Sequence, residues 1–79
     1  MDKPIHPAPA EFKSAQLEAD PILKFFHYRH LPDMLVQVSA PFCALALGLV
    51  ETLPRNAERS VALRKLLEAK DAAVRARLP

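Results

Sequence analysis

The chain has 79 residues and a formal net charge of +2 at pH 7, with one cysteine, three histidines and eight prolines. This length allows one domain at most, and a single core of this size supplies only about 3–5 kcal/mol, so additional stabilisation is needed. One cysteine excludes an internal disulfide and the histidines lack zinc-site spacing, which leaves oligomerisation as the expected source of that stabilisation.

The first 22 residues are rich in proline, and we interpret them as an arm that precedes a domain over residues 23–79. Proline fixes its own φ and lacks a backbone donor, so residues 1–10 are expected to be extended and mobile. The stretch AEFKSAQLEAD could form a short helix that Pro21 would end. We expect a cytoplasmic protein, because the N-terminus has no apolar signal segment and a lone cysteine in an apolar run is typical of a reducing compartment.

A long apolar helix is predicted to begin at LPDM, where Pro32 suits the first helical position and Asp33 adds favourable charge to the first turn. Pro41 either kinks this helix or lets it restart with Ser39 as a cap. The run APFCALALGLV spans 11 residues, whereas a membrane helix needs about 20, so we expect burial between several partners and no membrane contact. Six apolar residues follow helical spacing and form the predicted stripe: Leu35, Val38, Phe42, Leu45, Leu49 and Leu53.

A second helix is predicted from Ala57 to about Leu78, with Asn56 as its N-cap and no internal glycine or proline. The short link requires the two helices to be antiparallel. The predicted fold is therefore all-α, an antiparallel helical hairpin with an N-terminal arm or short helix, assembled as a homo-oligomer. The second helix carries an apolar stripe of Leu63, Leu66, Leu67, Ala73, Val74 and Leu78.

The segment KFFHYRHLP, residues 24–32, concentrates aromatic, histidine and basic side chains immediately before the first long helix. We interpret Phe25 and Phe26 as anchors that pack the arm on the hairpin. The ring of Tyr28 could stack on a nucleobase while the guanidinium of Arg29 contacts a phosphate. His30 is either a cap of the helix that follows or a ligand contact.

No arrangement in the sequence favours catalysis, and we expect no enzyme activity, no cofactor and no metal. There is no glycine-rich phosphate loop, since Gly48 is the only glycine, and the serines lack a histidine and aspartate partner. Cys43 has no charged residue within five positions and is interpreted as a small core residue. Arg75 forms an ion pair with Asp71 in the simplest interpretation of their spacing.

Three segments, FHYRHLP, VSAPFCALA and LPRNAERSVALRKLLEAKDAAVRA, resemble the small helical-hairpin domain that two kinds of phage anti-defence protein share. One kind is the anti-CBASS protein that sequesters cyclic oligonucleotides. The other is the Thoeris inhibitor that sequesters cyclic ADP-ribose isomers, in which an additional domain precedes the hairpin. The resemblance covers approximately residues 24–77, and the length of this chain is closer to that of the anti-CBASS protein.

The resemblance implies a homohexamer, built from dimers of hairpins, that acts in the cytoplasm of the infected host. It implies pockets between protomers that hold cyclic di- or trinucleotides without cleaving them. Tyr28 matches the tyrosine that stacks on bases in this family. Arg75, in VRA, matches the arginine that contacts cyclic trinucleotides near the symmetry axis.

One position departs from the family pattern. The family commonly has a lysine in a setting like SKPF, and here the sequence reads SAPF with Ala40. No lysine or arginine occurs from residue 33 to residue 53, so a phosphate contact must come from another part of the chain. The resulting set of ligand-binding candidates comprises Tyr28, Arg29, His30, Arg64, Lys65 and Arg75, with Lys24 as a further basic residue nearby.

Two other functions stay open from the residues alone. A structural or protein-interaction hairpin would use the apolar face of the first helix and bind no small molecule. A weak nucleic-acid binder would use the second helix, because residues 55–77 hold seven basic and three acidic residues. The interleaved acidic residues argue against that function, and no standard motif predicts contact with a nucleic-acid duplex.

Overall fold

The computed structural model of the chain describes residues 11–79, which fold into four helical elements. These are α1 (Ser14–Ala19), a 3₁₀ helix (Pro21–Phe26), α2 (Asp33–Thr52) and α3 (Ala57–Arg77). Within this described part, 77% of the residues are helical and none lies in a strand. The predicted all-α class is confirmed and the architecture is compatible with a helical hairpin. The expected extended conformation of residues 1–10 lies outside the described residues.

Local signals in the sequence set the ends of the two long helices. Asn56 caps α3 as predicted, since its side-chain oxygen accepts a hydrogen bond of 2.9 Å from the backbone N–H of Arg59. Pro32 is the N-cap of α2 rather than its first helical residue, and its ψ of 152° is extended. The helix continues through Pro41, so of the two alternatives for this proline the restart at Ser39 is wrong, and Ser39 is a buried residue within the helix.

The face of α2 that is buried differs from the predicted apolar stripe. Leu35, Ser39, Cys43 and Ala46 are the buried residues of this helix. Leu45, which the stripe placed inside, is 54% exposed. Of the six stripe residues only Leu35 is buried, because small side chains occupy the inward positions and allow a close approach to the rest of the fold. The larger side chains Val38, Phe42 and Leu49 are half-buried, and Leu53 is exposed.

The core lies where the N-terminal elements, α2 and α3 meet. Phe26, Leu23, Leu63, Cys43 and Ala46 are almost completely shielded from solvent, and Phe12 joins them in one cluster. Full burial of each large apolar side chain contributes about 1.5–3 kcal/mol. Residues before position 23 therefore take part in the core. The boundary between an arm and a hairpin domain at residues 22 and 23 stays a prediction.

The two adjacent phenylalanines have different environments. Phe26 is fully buried and anchors the 3₁₀ helix as predicted. Phe25 is 54% exposed, with the ammonium of Lys24 5.2 Å from its ring centre, so its predicted role as an anchor is wrong. Consecutive residues of a short helix point in different directions, and only one of the pair can face the core. The main chain is held instead by Lys70 of α3, whose Nζ donates a 2.7 Å hydrogen bond to the carbonyl oxygen of Phe25.

A buried ion pair joins the N-terminal segment to the start of α3. Nη2 of Arg59 donates a 2.7 Å hydrogen bond to Oδ2 of Asp20, and both side chains are 7% exposed. Nη1 of Arg59 donates a 2.9 Å bond to the carbonyl oxygen of Leu53 in the connection between α2 and α3. The guanidinium of Arg59 therefore connects α3 with Asp20, which lies 39 residues earlier in the chain, and with the link between α2 and α3.

The length and composition of α2 would also allow it to cross a membrane. It has 20 residues, and only 22% of its most apolar 18-residue window is buried. The 11-residue run APFCALALGLV is only part of this helix, and the whole helix reaches the length of about 20 that a span requires. The core helix of a soluble protein can have the same length and hydropathy. The absence of membrane contact stays a prediction.

Candidate ligand-binding site

Glu11, Tyr28 and Arg29 form a compact cluster between the N-terminal segment and the start of α2. Nε of Arg29 donates a 2.6 Å hydrogen bond to Oε1 of Glu11. The guanidinium carbon of Arg29 lies 5.7 Å from the centre of the Tyr28 ring. A turn closed by a 3.0 Å hydrogen bond from Leu31 N–H to the Tyr28 carbonyl oxygen positions these residues before α2. The cluster therefore presents a cation beside an aromatic ring, an arrangement that suits an anionic ligand with a π-system.

The two partners of the ion pair differ in exposure. The side chain of Arg29 is 62% exposed, whereas that of Glu11 is 14% exposed. Burial raises the pKa of Glu11, but hydrogen bonds from Arg29, from its own backbone and from Tyr28, together with the charge of Arg29, outweigh it, and the pKa lies below its ordinary value. The same hydrogen bond raises the pKa of Arg29. Glu11 is thus ionised at neutral pH and neutralises part of the charge of Arg29.

Tyr28 is half-buried and packs against the core cluster. Partial desolvation and the nearby charge of Glu11 raise the pKa of its hydroxyl above the ordinary value of 10. The phenol is therefore neutral at physiological pH. Its ring is anchored on the core side and meets the guanidinium of Arg29 on the outside.

His27 and His30 stack on each other beside this cluster, with ring centres 4.9 Å apart and planes 26° from parallel. His30 does not cap α2, because Pro32 is the N-cap and no side chain caps it, so the predicted capping role is wrong. Burial lowers the pKa of His27, and the neighbouring His30 and Arg29 lower it further against the opposing effect of Glu11. His27 is therefore neutral near pH 7.

The basic candidates on α3 lie in separate surroundings. Arg64 borders an open depression of about 190 Å³, smaller than the roughly 300–1,000 Å³ of ordinary ligand pockets. Lys65 lies 3.8 Å from Glu68 in an exposed pair. The depression is lined by Ala19, Asp20, Pro21, Ile22, Ser60 and Arg64. Its size is insufficient for a cyclic dinucleotide without a contribution from another chain.

Arg75 lies in the last turn of α3 and is exposed. Asp71, its proposed ion-pair partner, lies 3.4 Å from Lys70 instead. No ion pair joins Arg75 to Asp71 within residues 11–79, so the simplest interpretation of Arg75 is wrong. Its predicted contact with a ligand stays a prediction.

Of the six candidate residues, Tyr28, Arg29 and His30 lie together because they are consecutive in the chain. Tyr28 and Arg29 contact each other, whereas the ring of His30 stacks on His27. No hydrogen bond or ion pair in the described part of the chain links them to Arg64, Lys65 or Arg75. Glu11 belongs to the cluster but was not among the residues predicted from the sequence. The signal was weak, because Glu11 lies 18 residues from Arg29 and no helical or turn spacing relates them.

Cys43 takes no part in this surface cluster. Its side chain is 1% exposed, and burial raises the pKa of the thiol to about 11. The predicted role as a core residue is confirmed. No group of three or more histidine, cysteine or acidic side chains within residues 11–79 is arranged to hold a metal ion.

Comparison of the chain with protein families, curated proteins and solved structures finds no match.

Proposed function

We propose that this protein binds and sequesters cyclic di- or trinucleotide messengers without cleaving them, and so blocks CBASS-type anti-phage signalling in the host cytoplasm. The observation that carries the proposal is the exposed guanidinium of Arg29 over the ring of Tyr28. Cyclic oligonucleotides combine bases that stack on aromatic rings with phosphates that bind guanidinium groups. The resemblance of the HYR and VRA segments to the anti-CBASS family supports the same ligand class.

The proposal includes assembly into a homo-oligomer, with six chains as the expected number. The outward face of α2 supports it, because Leu45 is 54% exposed beside half-buried Phe42 and Leu49. Exposed apolar surface of this kind is typical of an interaction site. In a symmetric assembly each exposed Arg75 would be repeated, giving several positive charges around one cyclic ligand.

Two alternatives have specific support. A sponge for cyclic ADP-ribose isomers would use the same aromatic and cationic groups, because those ligands also carry a base and phosphates. A protein-interaction hairpin with no small-molecule ligand is favoured by the outward face of α2 alone. The first alternative differs in ligand preference, and the second predicts an assembly that binds no nucleotide.

The experiment that tests the proposal is calorimetric titration with a panel of cyclic dinucleotides, cyclic trinucleotides and a cyclic ADP-ribose isomer. The mass of the protein is measured by light scattering in the same buffer. Reversible binding by an oligomer, with intact ligand recovered after denaturation, is expected. A monomer at micromolar concentration, or a folded oligomer that binds none of the panel, contradicts the proposal.

Matched variants then locate the ligand. Arg75→Ala is expected to weaken binding of a cyclic trinucleotide about ten- to hundredfold, the effect of losing a charged hydrogen bond. Arg77→Ala removes another exposed charge from the same turn and should have little effect. Tyr28→Leu keeps apolar packing but removes the stacking ring, and Phe25→Leu is its control. Equal effects of variant and control would refute the residue assignment.

A further inference from the structure

We propose that Glu11 is a gate on the ligand site: it holds Arg29 over the Tyr28 ring until a phosphate of the ligand replaces the carboxylate. This inference rests on the proposed function and names a specificity-determining residue that the resemblance does not supply. The gate favours ligands that carry phosphate and base together, because only they replace both contacts of Arg29.

The geometry of the pair leaves the guanidinium partly available. Glu11 accepts its hydrogen bond from Nε, along one edge of the guanidinium. Within residues 11–79 the Nη groups of Arg29 donate to no other side chain, and the side chain is 62% exposed. A phosphate can therefore approach the outer edge of the guanidinium first. A base that stacks on Tyr28 then requires the guanidinium to move from its position over the ring.

Glu11 and Arg29 differ in their freedom to move. Glu11 precedes Phe12, which is 6% exposed and belongs to the core cluster. Its second carboxylate oxygen, Oε2, is buried and has no hydrogen-bond partner among the described residues. When Arg29 moves towards a phosphate, Glu11 loses its cationic partner and remains a partly desolvated carboxylate with only the Tyr28 hydroxyl as a side-chain partner among residues 11–79. That negative charge opposes binding of an anion beside it.

The gate also couples ligand binding to a proton. Loss of the Arg29 hydrogen bond removes the main cause that holds the pKa of Glu11 below its ordinary value, so that pKa rises on binding. The complex should therefore take up a proton as the pH falls towards 5. Among residues 11–79, the titratable and charged groups around the carboxylate are His27, Tyr28 and Arg29 before α2 and Cys43 from α2, with Lys70 of α3 close to Cys43.

The test compares Glu11→Gln with Glu18→Gln, a matched control at an exposed carboxylate on α1. Calorimetry with cyclic triadenylate and with cyclic GMP–AMP measures affinity, in buffers of different ionisation enthalpy to detect proton uptake. E11Q is expected to bind about two- to fivefold more tightly than the native protein and to lose proton uptake near pH 5. E18Q should match the native protein in both respects.

Tyr28 is the only tyrosine, and the chain has no tryptophan, so its absorbance and fluorescence report on this site alone. Without ligand, E11Q should lower the pKa of Tyr28 towards the ordinary value, measured by the absorbance of tyrosinate. If the native protein binds but E11Q binds equally or more weakly, the gate is refuted and the proposed function stands. If neither binds cyclic nucleotides, both proposals are overturned.

Discussion

Removal of Asp20 tests how much the buried ion pair stabilises the fold. The Arg59 side chain is 7% exposed, and within residues 11–79 Asp20→Ala leaves its guanidinium bonded only to the carbonyl oxygen of Leu53. Removing one partner of a buried pair costs about 3–5 kcal/mol, because the remaining charge is neither solvated nor paired. A chain of 79 residues has a total stability of about 4–12 kcal/mol. The variant should therefore lose about a quarter or more of its stability, and its thermal midpoint should fall by about 12–40 °C.

Urea unfolding followed by far-UV circular dichroism measures this effect. Each protein is examined at two concentrations, because self-association adds a concentration-dependent contribution to stability. Asp20→Leu combined with Arg59→Met removes both charges and should recover most of the lost stability, since an apolar replacement of a buried pair is often neutral. Lys65→Ala, which breaks only an exposed pair of 3.8 Å, should cost no more than about 1 kcal/mol. An Asp20→Ala effect as small as that of Lys65→Ala would refute the reasoning.

Two further predictions concern titrating groups. The folded state lowers the pKa of His27, so the unfolded chain binds this proton more tightly and stability should fall as pH drops below the ordinary value near 6.5. Urea midpoints between about pH 7.5 and 5 should show a smaller decrease for His27→Gln, and an equal decrease in both proteins would contradict this. Cys43, with a pKa of about 11, should react with a thiol reagent only as fast as the protein unfolds. Rapid modification of the native protein would show that the thiol is accessible.

The two long helices were predictable because their signals are local. Helix-forming residues continue without interruption from Ala57, and the Asn56 cap lies directly before them. The buried face of α2 was not predictable in the same way. Its sequence is apolar around much of the helix, so residue type alone does not identify the side that faces α3. The structure places the small residues Ser39, Cys43 and Ala46 inside.

The candidate site was predictable only in part. Tyr28 and Arg29 are sequence neighbours, and the concentration of aromatic and basic side chains in KFFHYRHLP predicted a site there. Glu11 and the Asp20–Arg59 pair depend on contacts across 18 and 39 residues, and no periodic pattern encodes such contacts. The buried pair adds little net stability over an apolar pair of similar volume, so oligomerisation stays the predicted source of additional stabilisation.

The two faces of α2 should accept different substitutions during evolution. Positions 39, 43 and 46 hold small side chains in buried surroundings, and an enlarged residue there would force the packed helices apart. Position 45 has ample space, so many apolar residues would fit without disturbing the fold of one chain. Related sequences should therefore conserve side-chain volume on the inner face. On the outer face they should conserve hydrophobicity only where selection maintains a partner.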